Sequence, residues 1–594
     1  MSEYGNETAN PASPAVNAAA EPRPGERIPG TGALGTGVLG TGVTPIWPAA
    51  TAIDPTSGEL TFHGIPASAL LDEFGSPLYV IDTDEVAARA RYFVDAAAKA
   101  FNNATTHVSF AGKAFLSKEI VRLVLAAGMY VDTCTMGEMR IALAAGAPGR
   151  RLVLHGNNKS DEEIALAIEQ GFAKIVVDSP DEPARVAAIA HRLGKRARVM
   201  LRVTSGIHAG GHEYISTAHE DQKFGVPLLP AGADASVLDI LADIADATPA
   251  ATNARVAERG DAGDANAAGD AAANAAGDAA AAAASSAAKP ARQLRYDIRY
   301  PYDLTGDELS ATDRALAAAM EAVANGPALA VLKEIHRHQD ALELVGIHSH
   351  IGSNIHDADA FIQAARRMML LRKTFYATDA YTLPEVDLGG GYSVAYTDGE
   401  DSMDVRVELA RLADAVTDVN RALGMPAPAI SFEPGRWIVA PAGVTLYRVG
   451  TIKHVTLSDD GHGHQPRDKA GNPISERVYV SVDGGMSDNI RPALYGADYT
   501  VRLANRRGAD ESMLVRVVGM HCESGDIIVH EDRLPADLKR GDVLAVPVTG
   551  AYGRTMASNY NQALIPAVVG VSHDGAHMML RRQTIDDLLR LDLG

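Results

Sequence analysis

Cysteine is scarce in this chain of 594 residues, which contains only Cys134 and Cys522. Two cysteines cannot form a disulfide framework, so a reducing cytoplasm is the expected compartment. Long apolar runs are also missing, because none approaches the ~18 residues that a membrane span requires. The N-terminal run MSEYGNETANPASP lacks the basic and apolar regions of a signal peptide. We therefore expect no membrane association.

Positive charge is in deficit as well. Lysine and arginine number 54 against 75 acidic residues, which gives a formal net charge of -21. Nucleic-acid-binding proteins normally present a basic face, so we expect no nucleic-acid partner. The length and a hydrophobic content of 46% allow two or more large domains with sizeable cores.

Three segments have the composition of loops or tails. Residues 1–45 are rich in Gly, Pro, Ala and Thr, which predicts a disordered tail. Residues 249–292 are mostly Ala, Asn, Asp and Gly, which favours a disordered surface insert. Residues 458–475 indicate an exposed loop. It contains His462 and His464, but two isolated histidines predict no metal site.

Between these segments, short β-branched runs alternate with helical periodicity, which predicts a barrel domain over 83–436. Eight units of this kind are typical of a closed (β/α)8 TIM-like barrel, and the 249–292 insert between strands five and six leaves it closed. Several of the helices between the runs begin at a capping serine and end at a glycine. The eight strands are HVSF, MYVDT, RLVLHG, KIVVD, RVMLRV, ELVGIHSH, EVDLGG and AISFEPG, starting at 107, 129, 151, 174, 198, 343, 385 and 429.

After residue 437 the pattern changes to strands without intervening helices, which predicts an antiparallel β-domain over 437–594. Residues 46–82 form an N-terminal segment that we expect to join this β-domain in part. The strand that joins it is expected near Leu78 to Ile81 or around Leu60 to Phe62. The overall expectation is an α/β protein with a barrel and a C-terminal β-domain.

The chemistry-bearing runs fall at the carboxyl ends of the barrel strands, where barrel active sites form. Lys113 follows the first strand in VSFAGK. A lysine that leaves a barrel strand inward is desolvated, which makes its amine more nucleophilic. A surface lysine with its head group in water explains the residue alone equally well.

Two further runs have the composition of an anion site. DLGGGY, from Asp387 to Tyr392, offers backbone N–H groups that can approach a phosphate, although a triple glycine is more often a flexible turn. In EPGR, Arg436 can pair with a phosphate or carboxylate. Glu433 of the same run can face a ring nitrogen, where a carboxylate keeps a pyridinium protonated and strengthens its pull on electrons.

Two more runs complete the set. In HSHIGSN, His350 can stack on a ring and Ser353 can bind phosphate, while a satisfied core imidazole explains either histidine equally well. In GMHCESGDIIV, Cys522 lies beside Glu523 in a Gly-flanked loop. A thiol and a carboxylate together can donate a proton and hold a cation.

Taken together, the order, spacing and motifs of these runs resemble the fold-type III decarboxylases that use pyridoxal 5'-phosphate (PLP), the family of the ornithine, arginine and diaminopimelate decarboxylases. The resemblance covers about 70–592 and implies an alanine racemase-like fold. HGNNKS, HEDQKFG and VDGGMSDNIRPALYG look like the diaminopimelate decarboxylases in particular. The implied reaction is decarboxylation of meso-2,6-diaminopimelate to L-lysine and CO2.

The resemblance also implies roles for individual residues. Lys113 carries PLP through a Schiff base, His350 stacks on the ring, and Cys522 protonates the substrate carbon. The implied cofactor-binding residues are Lys113, Asp132, His350, Ser353, Gly389, Gly390, Gly391, Glu433, Pro434, Gly435, Arg436 and Tyr552. The implied substrate-binding residues are Arg436, Arg491, Tyr495, Glu523 and Tyr552. In this family the CESGD loop enters the site from a partner subunit, so a homodimer with shared active sites is implied.

Three alternatives remain at this point. An ornithine-, arginine- or carboxynorspermidine-type decarboxylase has the same fold, but Arg491 and Tyr495 favour a substrate with a distal carboxylate. A racemase of this barrel class is less expected, because the CESGD run is a feature of the decarboxylases. A non-catalytic regulator is expected to have lost Lys113 or Cys522, and both are present.

Overall fold

A computed structural model describes residues 46–207, 222–246, 310–458 and 466–594. The predicted tail, the predicted insert at 249–292, and His462 and His464 lie outside the described residues.

The described chain opens with a small N-terminal unit. Three short strands form an antiparallel sheet in the order β1-β2-β3. A helix and a fourth strand follow, and the fourth strand does not pair with these three. The bounds are β1 Thr51–Ile53, β2 Leu60–Phe62, β3 Ile65–Pro66, helix Ala67–Phe74 and β4 Leu78–Asp82.

Eight parallel strands form a closed barrel, as the sequence predicted. The strands follow one another around the barrel in chain order, and pairings of β13 with β5 and of β8 with β9 complete the circle. A short strand, β10, extends the sheet beside the end of β9. The bounds are β5 Thr106–Ala111, β6 Tyr130–Thr133, β7 Leu152–Leu154, β8 Lys174–Val177, β9 Ala197–Thr204, β10 Val226–Pro227, β11 Leu342–His348, β12 Glu385–Asp387 and β13 Ala429–Phe432.

Helices connect the barrel strands. Local signals place their ends: Ser160 accepts from the backbone of Glu163 in a capping box, and Gly171 ends that helix with a φ of 66°. Ser117 caps another by accepting from Ile120. The bounds are Thr83–Ala100, Lys118–Ala126, Met136–Ala144, Asp161–Gln170, Glu182–Leu193, Ile240–Asp246, Ala311–Ala324, Pro327–Arg337, Asp359–Asp379 and Val405–Ala422.

Among the described residues, no single helix combines sufficient length with sufficient apolar character to cross a membrane. The pair Ala311–Ala324 and Pro327–Arg337, bent by 63°, meets the test by length and composition only when taken together.

The C-terminal domain is a second, largely antiparallel sheet. Its main path runs β18-β17-β15-β14-β4-β20-β21, with β19 paired to β14 and β16 paired to β19. Two pairs are parallel, β15 with β17 and β4 with β20, so the sheet is mixed rather than purely antiparallel. The strand bounds are β14 Gly443–Thr456, β15 Glu476–Val482, β16 Arg502–Leu503, β17 Ser512–Val518, β18 Ile527–Pro535, β19 Val543–Pro547, β20 Ala567–Ser572 and β21 Gly575–Leu580.

Strand β4 ties the start of the described chain to this sheet, where it lies between β14 and β20. All five of its residues are buried. Three short helices also belong to the C-terminal part, where the sequence predicted strands alone. They are Arg436–Val439, Arg491–Tyr495 and Ile585–Leu589. The second of these helices carries predicted substrate residues, so the difference bears on the site.

Candidate active site

A cavity of about 170 Å³ lies at the carboxyl ends of the barrel strands. Most of the residues that the sequence assigned to a cofactor line it together. These are Lys113, Asp132, His350, Ser353, Gly391, Glu433, Gly435, Arg436 and Tyr552. Residues that follow four different strands in the sequence thus meet at one edge of the barrel, as the fold requires.

A second cavity of about 480 Å³ adjoins the first, because Lys113, His350, Ser353, Arg436 and Tyr552 line both. The second cavity adds Arg491 and Tyr495, which the sequence assigned to the substrate. The barrel and the C-terminal domain therefore both contribute to one continuous site, with Lys113 at the junction.

Lys113 itself is solvent-exposed within this site. The sequence predicted that Lys113 is desolvated because it follows an inward strand. Its exposed side chain does not show this desolvation. Its position is nevertheless closely determined, because a Cβ on the preceding Gly112 would lie 2.6 Å from the Asp132 carbonyl oxygen. A glycine at 112 lets the strand turn tightly against β6 and directs the lysine to the cavity.

Carboxylates and imidazoles cluster at the barrel end of the first cavity. His155 Nε2 lies 3.1 Å from Glu433 Oε1, and His348 Nε2 lies 3.2 Å from the same oxygen. Although burial favours a neutral carboxyl group, the two imidazoles hold the pKa of Glu433 well below its usual range. Glu433 is thus kept anionic in a largely buried place, as a partner for a protonated ring nitrogen must be.

His155 and Asp132 complete this cluster. Burial lowers the pKa of His155, but the negative charges of Glu433 and of Asp132, whose Oδ1 lies 3.8 Å from His155 Nε2, raise it more, to about 10. Burial and the charge of Glu433 raise the pKa of Asp132 to about 7. His155, His348 and Glu433 present ligand atoms within 4.8 Å of one another, a set that can also hold a metal ion.

His350 has different surroundings and is neutral. Burial, followed by the nearby charges of Lys113 and Arg202, lowers its pKa well below the usual value. The backbone N–H of Gly390 donates to His350 Nδ1 at 3.2 Å, so Nδ1 accepts and the ring is uncharged. A neutral imidazole at the cavity wall suits stacking on an aromatic ring.

The glycine run after β12 is packed against its neighbours. A Cβ on Gly390 would lie 2.2 Å from the Glu433 carbonyl oxygen, and a Cβ on Gly391 would lie 2.4 Å from the Gly352 carbonyl oxygen. Only Gly391 of the three lines the cavity. Gly389 N–H donates to Asp387 Oδ1 at 3.0 Å, so the backbone groups of Gly389 and Gly390 already have partners within the chain. Of the three glycines predicted to bind phosphate, two therefore have backbone N–H groups that are already bonded within the chain.

Pro434 and Gly435 follow β13, the strand that pairs with β12. A Cβ on Gly435 would lie 2.9 Å from Ala111 Cβ. The Pro434 carbonyl accepts from the Ala111 N–H at 3.3 Å, which fixes the turn after β13 against β5. Pro434 thus supports the wall but does not line the cavity.

Several buried polar atoms in the described part of this cavity have no hydrogen-bond partner, and they test whether PLP fits. Both carboxylate oxygens of Asp132, Arg436 Nε, His348 Nδ1 and Tyr392 Oη belong to this group. Buried polar groups are normally satisfied, so these atoms indicate a site for a polar group. A ring with a hydroxyl, a ring nitrogen and a phosphate supplies such partners, and the residues present fit PLP.

Guanidinium and phenol groups line the outer cavity together with two carboxylates, Glu400 and Asp498. Asp498 is paired with Lys469 at 2.9 Å, and Glu400 accepts from the backbone N–H of Tyr396 at 2.8 Å. Arg436 Nη2 donates to Ser353 Oγ at 2.8 Å, and its Nη1 hydrogen-bonds Tyr396 Oη. Arg491 hydrogen-bonds Tyr499 Oη, and its Cζ lies 4.2 Å from the centre of the Tyr396 ring. Both arginines are buried, and neither has a carboxylate partner among the described residues. They therefore form a site for an anionic group.

Tyr495 lines the outer cavity from the same short helix as Arg491. Residues four apart on a helix share a face, which explains why RPALY brings both to the cavity. The sequence analysis did not identify Tyr396 or Tyr499, although both orient Arg491. Their positions in VAYTD and ADYT carry no signal of their own, because only the fold brings these loops together.

The sequence analysis also assigned no role to His155 or His348. The available signal was their place, since His155 directly follows β7 and His348 ends β11, where barrel sites form. In HSHIGSN the sequence assigned a role to the second histidine, His350, whereas the first, His348, contacts the Glu433 carboxylate.

Cys522 and Glu523 lie apart from the other predicted residues. Both are exposed, and neither is among the residues that line either cavity of the same chain. Their loop is nevertheless well defined: Asp526 accepts from His521 N–H at 2.7 Å and from Met486 N–H at 2.6 Å. The loop thus holds a free thiol and a carboxylate outward on a firm base.

Comparisons with known proteins agree with this geometry. Residues 87–242 and 320–440 match the family described as pyridoxal-dependent decarboxylase, pyridoxal binding domain. The fold and its cavities thus define a PLP-dependent decarboxylase of the barrel class. Diaminopimelate decarboxylase of Mycobacterium tuberculosis (strain H37Rv) is 37% identical over 552 residues, which cover 92% of this chain and 98% of that protein.

A second relative extends the match beyond that genus. The diaminopimelate decarboxylase of Bacillus subtilis is 32% identical over 536 residues, which cover 90% of this chain and 95% of that protein. The solved diaminopimelate decarboxylase of M. jannaschii in complex with L-lysine has a TM-score of 0.65 and 24% identity, and it shows the same fold over 92% of this chain and 98% of that one. The chain belongs to the diaminopimelate decarboxylase family.

Proposed function

We propose that this protein decarboxylates meso-2,6-diaminopimelate to L-lysine and CO2, the last step of lysine biosynthesis, with PLP as cofactor. The observation that carries the proposal is the pair Arg436 and Arg491, two buried guanidinium groups that meet in one cavity beside Lys113. A distal carboxylate satisfies both, whereas ornithine or arginine leaves them unpaired. The agreement of the relatives at 37% and 32% identity supports the same substrate.

The residues of the barrel have separate tasks in this proposal. Lys113 holds the cofactor covalently, and His350 packs against one face of its ring. Glu433, kept anionic by His155 and His348, holds a proton on the ring nitrogen. Bound PLP supplies an electron sink for the pair of electrons that CO2 leaves behind. Asp132 fixes the ring end of the site through its two unpartnered oxygens.

The phosphate end of the cofactor falls to other groups. Ser353, Gly435 and Tyr552 line the first cavity, and Gly391 adds backbone. Gly389 and Gly390 support this wall through their close packing. Tyr552 belongs to the C-terminal domain and donates its N–H to the carbonyl of Ala114 in the barrel at 2.9 Å, which fixes its position against the barrel.

Cys522 and Glu523 complete the site from a partner subunit. Cys522 donates the proton that replaces CO2 on the substrate carbon, and Glu523 receives the distal ammonium group. Their exposure on a firm loop, away from the cavities of their own chain, supports a homodimer with shared active sites. Two free cysteines and no disulfide among the described residues support a cytoplasmic location.

The first experiment measures lysine release from meso-diaminopimelate by the purified protein with added PLP. Ornithine and arginine are assayed in parallel. Lysine from diaminopimelate alone supports the substrate proposal. Turnover of ornithine or arginine instead contradicts it while retaining the fold and cofactor, and no turnover of any of the three favours a regulator.

A second experiment tests the shared site by mixing two inactive variants. Lys113→Ala and Cys522→Ala each lose their own function, so neither homodimer turns over. If each site takes Lys113 from one subunit and Cys522 from the other, random mixing restores roughly a quarter of wild-type activity, since half of the dimers contain one intact site. Absence of recovery in mixtures shown to exchange subunits would place both residues in one chain.

A further inference from the structure

A third cavity, outside the site described above, is lined by four arginines. It has a volume of about 430 Å³ and lies between the N-terminal unit and strands β16 and β18. Trp47 and Ile53 line it from the N-terminal side. In a chain with a net charge of -21, a cavity with this concentration of positive charge is unusual.

One of the four arginines is neutralised by the chain itself. Arg506 Nη1 lies 2.6 Å from Asp537 Oδ2, and its Nη2 lies 2.7 Å from Asp542 Oδ2. Its role is structural, because these bonds join the loop after β16 to the turn before β19. The other three arginines, Arg502, Arg507 and Arg533, have no carboxylate partner among the described residues.

The three remaining guanidinium groups are held by neutral atoms or by none. Arg507 Nη2 donates to the Pro55 carbonyl at 2.7 Å, and Arg533 Nε donates to Ser512 Oγ at 3.0 Å. Arg502 is half-buried, and its side chain has no hydrogen bond or ion pair in the described ranges. Burial lowers the pKa of Arg502, as expected for a charge without a counter-ion.

The backbone holds two of these arginines close together. Val501 N–H donates to Asp532 Oδ2 at 2.8 Å, which ties the start of β16 to β18. Arg502 directly follows Val501, and Arg533 directly follows Asp532. Arg507 is anchored in turn by its N–H, which donates to the Ser57 carbonyl at 2.8 Å. Among the described residues that line the cavity, Asp398 alone carries a carboxylate, so three arginine charges exceed the acidic charge of this lining.

We propose that this cavity is a binding site for a small multivalent anion of the phosphate class, held by Arg502, Arg507 and Arg533. Guanidinium groups bind phosphate oxygens through paired N–H donors. Each of the three presents a charge with donors that the chain leaves unused. Thr500 adds a hydroxyl at the wall. The site is distinct from the cofactor cavity, since no residue lines both.

The test uses the PLP-loaded full-length protein, so that the cofactor phosphate site is already filled. Calorimetric titration with inorganic pyrophosphate is expected to show saturable binding to the wild type. Arg502→Gln and Arg533→Gln are each expected to weaken it roughly tenfold, by loss of one charged hydrogen-bonding pair. Arg533 is exposed, so its variant retains the fold even if the Arg502 variant does not.

Two control variants separate this site from others. Arg590→Gln changes an exposed arginine directly after the helix Ile585–Leu589, outside the cavity, and is expected to leave pyrophosphate binding unchanged. Arg491→Gln removes a guanidinium group of the outer cavity, which can itself attract an anion. Weakening of pyrophosphate binding by Arg491→Gln alone, and not by Arg502→Gln or Arg533→Gln, would place the anion in the active site and overturn the proposal. Absence of saturable binding, or equal binding by wild type, Arg502→Gln and Arg533→Gln, would overturn the proposal.

A parallel titration with ADP identifies the source of the anion. ADP carries the same pyrophosphate group on an aromatic base, and Trp47 and Ile53 give the cavity an apolar wall for such a group. Tighter binding of ADP than of pyrophosphate indicates a phosphate ester. Equal or weaker binding of ADP indicates a free inorganic anion.

Discussion

The two ends of the joint active site differ in how they arrange charge. At the barrel end, Glu433 and Asp132 lie among imidazoles, and Glu433 contacts His155 and His348 at 3.1 and 3.2 Å. At the outer end, Arg436 and Arg491 lie among tyrosines and have no carboxylate partner among the described residues. At the barrel end, charged groups of the chain compensate one another. At the outer end, the positive charges of Arg436 and Arg491 remain available to a ligand.

This difference follows from the elements that build each end. The barrel end comes from side chains at or just after strands β6, β7, β11 and β13, which hydrogen bonds of a closed sheet hold in place. The outer end combines loops of the barrel with the helix Arg491–Tyr495 of the C-terminal domain. A cofactor that stays bound suits the rigid end, and a substrate that enters and leaves suits the end formed between domains.

The most severe change removes the residue that both ends share. Lys113→Ala is expected to lower turnover of diaminopimelate by at least about 10³-fold, because the nucleophile that holds the cofactor is lost. Lysine release in a single-turnover assay measures it. Lys118→Ala, an exposed lysine five residues further on, serves as control and should keep normal turnover. Normal turnover by Lys113→Ala would contradict the role of Lys113 as the residue that holds the cofactor between the two ends.

A second change tests how much a buried lysine of the barrel contributes to the stability of the barrel end. Lys174 is buried on β8, hydrogen-bonds Glu385, and lies 3.5 Å from Asp387 Oδ2. Lys174→Met leaves these two carboxylates buried without their cation, which is expected to cost about 3–5 kcal/mol of unfolding free energy. Chemical denaturation measures it. Lys453→Met, at an exposed position of β14, should change the stability little; equal stability of the two variants would show that the cluster is not needed.

A pair of variants separates the two ends kinetically. Glu433→Gln is expected to lower kcat about 10²-fold with little change in KM, because it weakens the electron sink and not substrate binding. Arg491→Gln is expected to raise KM about 10–100-fold with a smaller change in kcat, because one charged contact to the distal carboxylate is lost. Steady-state kinetics with diaminopimelate measures both. The same kcat and KM pattern in the two variants would contradict a division of labour.

The smallest expected effect is a pH dependence of stability at the barrel end. The pKa of Asp132 is about 7 in the folded protein, above its unfolded value near ~3.9. The folded state therefore binds more protons between these values, so this group stabilises at low pH and loses that contribution as the pH rises toward 7. In cofactor-free protein, Asp132→Asn should reduce the fall in Tm between pH 5 and pH 8. Parallel Tm curves for the two proteins would contradict the shift.

The sequence predicted part of each end of the site, and at the barrel end it gave no role to His155 or His348. Strand periodicity and strand-end motifs made Lys113 and Glu433 candidates, because both follow a short apolar run, and the resemblance to the decarboxylases supplied their expected roles. Tyr396 and Tyr499 were missed, because neither follows a recognisable motif and their shared contact with Arg491 joins segments about a hundred residues apart. The predicted roles of Cys522 and Glu523 remain proposals, since one chain does not bring them to its own cavities.

The sequence by itself determined the eight strands of the barrel, the change to a β-domain after it, and the set of residue types that suit PLP. These depend on local periodicity and on short motifs, which the chain carries wherever it folds. Only the tertiary structure decided that His155 and His348 hold Glu433 anionic and that β4 rather than β2 enters the second sheet. It also decided that Arg436 and Arg491 line one cavity without a carboxylate partner among the described residues. Those features depend on burial and on contacts between distant segments, and neither quantity is written in a local run of residues.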